Sequence, residues 1–130
     1  MIKNLDHVTI NIKDEAKTIA FYEGILGLEF ICSKDMEDSK ISYFKLTPET
    51  KLELIGYDTE GPCETVAQKN RGSYRHIALE TDNLEQFWKK CLINHIPIRM
   101  KPTVMKQLGC KGILIEDPNG VEIEIIEKIN

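Results

Sequence analysis

The sequence predicts an α+β fold made of two βαβββ modules within one chain of 130 residues. Three observations carry that prediction. A strand-like phrase containing a His occurs twice, as Leu-Asp-His-Val-Thr-Ile-Asn-Ile over 5–12 and as Tyr-Arg-His-Ile-Ala-Leu-Glu-Thr over 74–81. Each phrase runs into a helical apolar pattern, and each helix is followed by three short strand-like runs. Repetition on this scale marks a duplicated supersecondary unit. The modules read as 1–57 and 74–130, joined by a linker over 58–73 that holds Gly61, Pro62, Asn70 and Gly72. A connection that long without periodicity suggests a module boundary.

In the first strand Val8, Ile10 and Ile12 alternate with His7, Thr9 and Asn11, the period of a strand with one buried face. The first helix follows with Ala16, Ile19, Ala20 and Ile25–Leu26, Asp14 as its N-cap and Gly24 or Gly27 near its stop. Strands are expected over 28–33, 41–47 and 51–57. The mixed-charge stretch between the first two, Ser33 to Lys40, reads as a solvated loop. In the second module Ile77 and Leu79 oppose His76, Ala78 and Glu80. The stripe Leu84, Phe87, Trp88, Cys91 and Leu92 then sets a helix, with Asn83 and Gln86 spaced as a capping box. Three strands are expected over 96–101, 112–116 and 121–127, the last two joined by the turn Asp117-Pro118-Asn119-Gly120. The stretch from Pro102 to Lys111 reads equally as a lid or as a mobile connector.

Composition bounds the function. Hydrophobic residues at 42% with 29% charged are ordinary for a globular domain. Seventeen Lys+Arg against 21 Asp+Glu give a net charge of −4, which removes the electrostatic term on which nucleic-acid binding rests. There is no apolar run of the roughly 18 residues that a membrane span needs. The polar start, Met-Ile-Lys-Asn, lacks the apolar core of a signal peptide, so a cytoplasmic location without nucleic-acid or membrane partners is expected. Cys32, Cys63, Cys91 and Cys110 form no C-x-x-C pair and read as small apolar fillers.

The repeat becomes chemical when its polar residues are aligned. His7 and His76 hold the same position in the first strand of each module. Glu53 in Lys51-Leu52-Glu53-Leu54-Ile55 matches Glu124 in Val121-Glu122-Ile123-Glu124-Ile125, and the His-to-Glu separations are 46 and 48 residues. Imidazole nitrogen and carboxylate oxygen together suit a first-row divalent metal. Glu122 competes with Glu124, because both lie on the same face of one strand. His95 has no counterpart in the first module and reads as a surface residue.

These phrases, together with Phe21-Tyr22-Glu23-Gly24-Ile25-Leu26-Gly27-Leu28 and Glu116-Asp117-Pro118-Asn119-Gly120-Val121-Glu122-Ile123-Glu124, make the chain similar to the vicinal oxygen chelate superfamily. Within it the chain most resembles glyoxalase I. The resemblance covers essentially the whole chain and implies the ligand set His7, Glu53, His76 and Glu124, choosing Glu124 over Glu122. It implies a bound divalent metal acting as a Lewis acid, with Ni²⁺ or Co²⁺ favoured and Zn²⁺, Mn²⁺ or Fe²⁺ also compatible. It implies isomerisation of a hemithioacetal of an α-ketoaldehyde to a 2-hydroxyacyl thioester, with Glu53 and Glu124 as the candidate bases. A small-molecule substrate and a homodimer follow from the same resemblance.

The departures fall on the thiol side. The family's glutathione-holding Arg and Asn correspond to Asn11 and Tyr57, leaving Arg71, Arg75, Arg99 and Lys101 as substitute cations. Rival readings on the same scaffold are an Fe²⁺ extradiol dioxygenase or a thiol transferase using His7, His76 and Glu124 alone, and a CoA-thioester epimerase with four ligands. The epimerases usually carry Gln where this chain has Glu53. A metal-free, resistance-type binding protein is the rival from outside enzymology, and the complete quartet counts against it.

Overall fold

The computed structural model describes residues 1–59, 61–62 and 68–129, so Cys63 and the middle of the linker lie outside the described residues. The chain forms two compact units, Met1–Pro62 and Cys63–Asn130.

The first unit runs β1 (His7–Asn11), α1 (Glu15–Ile19) continued as a π-helix over Ala20–Ile25, β2 (Glu29–Asp35), β3 (Ser39–Lys45) and β4 (Lys51–Tyr57). Its sheet has the order β1-β4-β3-β2, with β1 parallel to β4 and the other pairs antiparallel. Asp14 caps α1 from an extended conformation, accepting the Lys17 amide at 2.9 Å. After the π-turns the chain reverses at Gly27, where φ is +72° and an L side chain is disfavoured. Alternation then separates the faces of the sheet. Ile10, Phe44, Leu52 and Leu54 are buried on one, each such side chain contributing about 1.5–3 kcal/mol of transfer free energy. His7, Thr9, Lys51, Glu53, Tyr43 and Ile41 take the other. The solvated loop expected over 33–40 is only a tight reversal, because β2 continues to Asp35 and Met36 donates its amide to the Ser39 carbonyl at 2.8 Å. β2 is an edge strand, as β1 is, and its exposure on both faces leaves it without the alternation that marks β1.

The second unit repeats the plan: β5 (Ile77–Glu80), α2 (Leu84–Ile93), β6 (Ile98–Met105), a 3₁₀ turn at Lys106–Leu108, β7 (Cys110–Glu116) and β8 (Glu122–Lys128). The order β5-β8-β7-β6, with β5 parallel to β8, is the same as in the first unit. Asn83 caps α2 by accepting the Gln86 amide at 3.0 Å, and the helix lies against β7 and β8. Its buried stripe is narrower than expected. Leu84 and Cys91 are buried, but Leu92 is exposed. The stretch from Pro102 to Lys111 is neither lid nor connector. β6 runs through Pro102, the 3₁₀ turn follows, and β7 begins at Cys110. Proline fits there because β6 is an edge strand and its register slips between Met100 and Thr103. The turn at 117–120 forms as expected: Oδ1 of buried Asp117 accepts the Asn119 and Val121 amides, both at 2.8 Å, and Gly120 takes φ +82°.

Among the described residues no helix is long and apolar enough to cross a membrane. Cys32, Cys91 and Cys110 are free thiols, the latter two buried, and burial pushes the Cys91 thiol up to about 11.

Candidate functional site

Strand register places the candidate residues within each unit. β1 and β4 align His7 with Lys51 and Thr9 with Glu53, so His7 and Glu53 project from one face on neighbouring strands. Nε2 of His7 then lies 3.8 Å from Oε1 of Glu53. In the second unit β5 and β8 align Ala78 with Glu124, and Nε2 of His76 lies 3.9 Å from Oε1 of Glu124. The two units therefore repeat one local geometry, with an imidazole Nε2 facing a carboxylate oxygen just beyond hydrogen-bond range.

Each imidazole is also held from behind. Nδ1 of His7 meets Oδ2 of Asp6 at 2.7 Å, and Nδ1 of His76 meets Oε2 of Glu122 at 2.6 Å. A carboxylate on Nδ1 selects the tautomer that protonates that nitrogen and leaves the Nε2 lone pair available. Glu122 and Glu124 are thus separated by what they touch, although they share a strand face. Glu122 is turned to Nδ1, and Glu124 faces Nε2.

The two units achieve this with opposite arrangements of charge. In the first, the acid precedes the His and a cation sits across the strand pair: Asp6 holds His7, and Nζ of Lys51 lies 3.6 Å from the same carboxylate. In the second, Arg75 precedes the His and the acid, Glu122, lies across. The His7 hydrogen bond, reinforced by Lys51, holds Asp6 below the ordinary carboxylate range. Burial alone would raise Glu122, but the donors of His76, Gln68, Arg99 and Arg75 outweigh it and hold this carboxyl low as well. Asp6 is 71% exposed and Glu122 only 2%, so His76 is the more firmly anchored imidazole.

Two further residues were not singled out from the sequence. Thr9 donates its hydroxyl to Oε1 of Glu53 at 2.9 Å, and the Tyr43 hydroxyl donates a short hydrogen bond to Oε2. That bond to Glu53, with burial adding to it, keeps the Tyr43 phenol above its ordinary range. The β3–β4 register sets Tyr43 opposite Glu53. Register is a tertiary property, and no spacing along the chain reveals it.

The structure also narrows the set of cations open to an anionic thiol. Arg75 is bound to Glu122 at 2.9 Å, and Arg99 bridges Glu116 at 2.7 Å and Glu122 at 3.3 Å. Arg71 and Lys101 are exposed, as are Asn11 and Tyr57. His95 is exposed at the end of α2, in the left-handed region at φ +53°.

Whether these residues suit a metal is a question of donor chemistry. In each unit an imidazole nitrogen and a carboxylate oxygen are donors that suit a first-row divalent ion. Metal bonds of roughly 2.0–2.2 Å at octahedral or tetrahedral angles set neighbouring donors about 2.8–3.6 Å apart, so the pairs at 3.8 and 3.9 Å would draw slightly closer to share an ion. Each unit supplies one such pair, and among the described residues no group of three or more His, Cys, Asp or Glu side chains could hold a metal ion.

Comparison with known proteins adds an independent line. A family model described as the Glyoxalase/Bleomycin resistance protein/Dioxygenase superfamily matches residues 4–125. The chain is similar to the uncharacterized protein YwbC of Bacillus subtilis, at 32% identity over 98% of this chain and 100% of that one. It is similar to the lactoylglutathione lyase of Salmonella typhimurium, at 27% identity over 93% of this chain and 90% of that one. It is also similar to the mitochondrial methylmalonyl-CoA epimerase of Homo sapiens, at 34% identity over 86% of this chain and 71% of that one.

Proposed function

The chain belongs to the Glyoxalase/Bleomycin resistance protein/Dioxygenase superfamily, and on that premise we propose that it is a metal-dependent, glyoxalase I-like isomerase. Its substrate is the hemithioacetal formed by an α-ketoaldehyde such as methylglyoxal and a thiol, and its product is the 2-hydroxyacyl thioester. One observation carries the reading: the same His Nε2–Glu Oε1 pairing, at 3.8 and 3.9 Å, with the other ring nitrogen on a carboxylate, recurs in both units. A chain that needed a single polar contact would not repeat this arrangement from oppositely ordered charges.

His7, Glu53, His76 and Glu124 would hold one divalent metal, with Ni²⁺ or Co²⁺ favoured. When bound, the metal supplies Lewis acidity toward adjacent substrate oxygens. The chain's own residues do the rest. Asp6 and Glu122 fix the imidazole tautomers. A carboxylate of the Glu53–Glu124 pair takes the proton from C1 of the hemithioacetal and returns it at C2. The C1 hydroxyl proton passes to the C2 oxygen, so that C1 becomes the thioester carbonyl and C2 the secondary alcohol. No redox partner is required. The chain works as a cytoplasmic homodimer, each module contributing one His and one Glu. With Arg75 and Arg99 bound to acids, the thiol's carboxylates are left to exposed cations such as Arg71 and Lys101. That arrangement supports a thiol other than glutathione as readily as glutathione itself.

The similarity to a CoA-thioester epimerase supports a second reading, because epimerisation next to a thioester needs the same removal and return of a proton. The test is thioester formation from methylglyoxal mixed in turn with glutathione and other low-molecular-weight thiols. It is run on metal-stripped protein and on protein reloaded with Ni²⁺ or Co²⁺. Turnover that disappears on stripping and returns on reloading supports the isomerase. Metal binding without turnover of any hemithioacetal, together with epimerisation of an acyl-CoA, would establish the second reading instead.

A further inference from the structure

We infer that Tyr43 and Thr9 are positioning residues that clamp Glu53, making the two candidate proton-transfer carboxylates unequal; this rests on the four-residue site proposed above. Thr9, Glu53 and Tyr43 form one row across β1, β4 and β3. Each carboxylate oxygen of Glu53 receives its own hydroxyl, Oε1 from Thr9 at 2.9 Å and Oε2 from Tyr43. One hydroxyl on each oxygen fixes both the direction of the carboxylate and its rotation about the final bond. Each oxygen still has a lone pair for a further partner. Glu53 as a whole is only 8% exposed and Tyr43 is half-buried, so water does not readily replace the Tyr43 donor, whereas the exposed Thr9 is held by its 2.9 Å bond alone.

The equivalent row in the second unit is Ala78, Glu124 and Leu114. Neither neighbour carries a hydroxyl. The duplication that preserved strands, imidazole and carboxylate did not preserve the clamp. The Glu124 side chain is 20% exposed against 11% for Glu53, and its row offers no donor to break when it turns. Glu53 is the fixed member of the pair, and Glu124 is the one free to rotate.

The test is Co²⁺ titration of metal-free full-length protein, followed by visible absorption, for wild type, Tyr43→Phe, Thr9→Val, Thr9→Ser and Glu53→Ala. Tyr43→Phe and Thr9→Val each remove one hydroxyl and little volume. Loss of a group that orients a metal ligand weakens metal affinity by about 10- to 100-fold. The expected result is a loss of that size with an altered Co²⁺ spectrum for both variants, and wild-type behaviour for Thr9→Ser. Wild-type affinity and spectrum in Tyr43→Phe and Thr9→Val, with binding lost in Glu53→Ala, would overturn the clamp and leave the metal site standing. Unchanged Co²⁺ binding in Glu53→Ala would overturn the metal site and the clamp together.

Discussion

Nδ1 of His76 lies 2.6 Å from Oε2 of Glu122, a carboxylate that is 2% exposed and also accepts hydrogen bonds from Gln68, Arg75 and Arg99. Glu122→Gln keeps the shape and removes the charge that these donors share. Arg75 is about half in solvent, so most of the loss falls on His76 and Arg99. We expect destabilisation of about 2–4 kcal/mol in urea unfolding. We also expect a fall in metal affinity of about 10- to 100-fold. Wild-type stability and affinity in this variant would show that Glu122 does not orient His76.

The closing turn of the second unit hangs on Asp117. Its carboxylate, 3% exposed, accepts two backbone amides and the Asn119 side-chain amide, each at 2.8 Å. Asp117→Ala removes the acceptor of these three hydrogen bonds and is expected to cost about 2–4 kcal/mol by thermal or urea unfolding. Gly120→Ala, at φ +82°, costs about 1 kcal/mol or more through backbone strain alone. Neutral outcomes would mean that the turn relaxes without them.

His95 ends α2 in the left-handed region, at φ +53°, a position that glycine occupies without strain. It is exposed, and the proposed chemistry does not use it. His95→Gly is therefore expected to raise stability by up to about 1 kcal/mol with turnover unchanged. A loss of turnover with stability intact would give this residue a role at the site.

Glu127 ties α2 to the sheet: Oε1 accepts the Leu84 amide, and Oε2 meets Lys111, both at 2.8 Å. The Lys111 hydrogen bond, followed by the amide, holds its carboxyl below the ordinary value of 4.5. A lowered folded-state pKa means stabilisation that is complete above the ordinary value and is lost as pH falls from there through the lowered one. The urea midpoint of wild type should therefore drop more steeply between neutral pH and about pH 3 than that of Glu127→Gln. Parallel curves would remove this contact from the account.

How much of this was legible in the sequence follows the physics of strands. Alternation put His7 and His76 on the polar faces, and the duplicated pattern paired them with Glu53 and Glu124. Strand phase could not separate Glu122 from Glu124, since residues two apart share a face. The family resemblance chose Glu124, and the structure gives the two residues different contacts with His76. Tyr43 escaped notice because its relation to Glu53 is a register between strands. The exchange of Asp6 for Glu122 as the Nδ1 partner was hidden by the very repeat that revealed the histidines, because the supporting acid moves from the adjacent residue to the neighbouring strand. β2 and β6 were the hardest strands to read. β2 lacks a buried face and β6 carries a proline, so neither shows a clean period of two.

The proposal that His7, Glu53, His76 and Glu124 hold one divalent metal is tested by metal content per chain in the four single alanine variants. One equivalent of metal is expected in the wild-type protein and its loss from all four variants, with each variant still folded by circular dichroism. Undiminished metal in any folded member of the four, or no tight metal in the wild type, would contradict it.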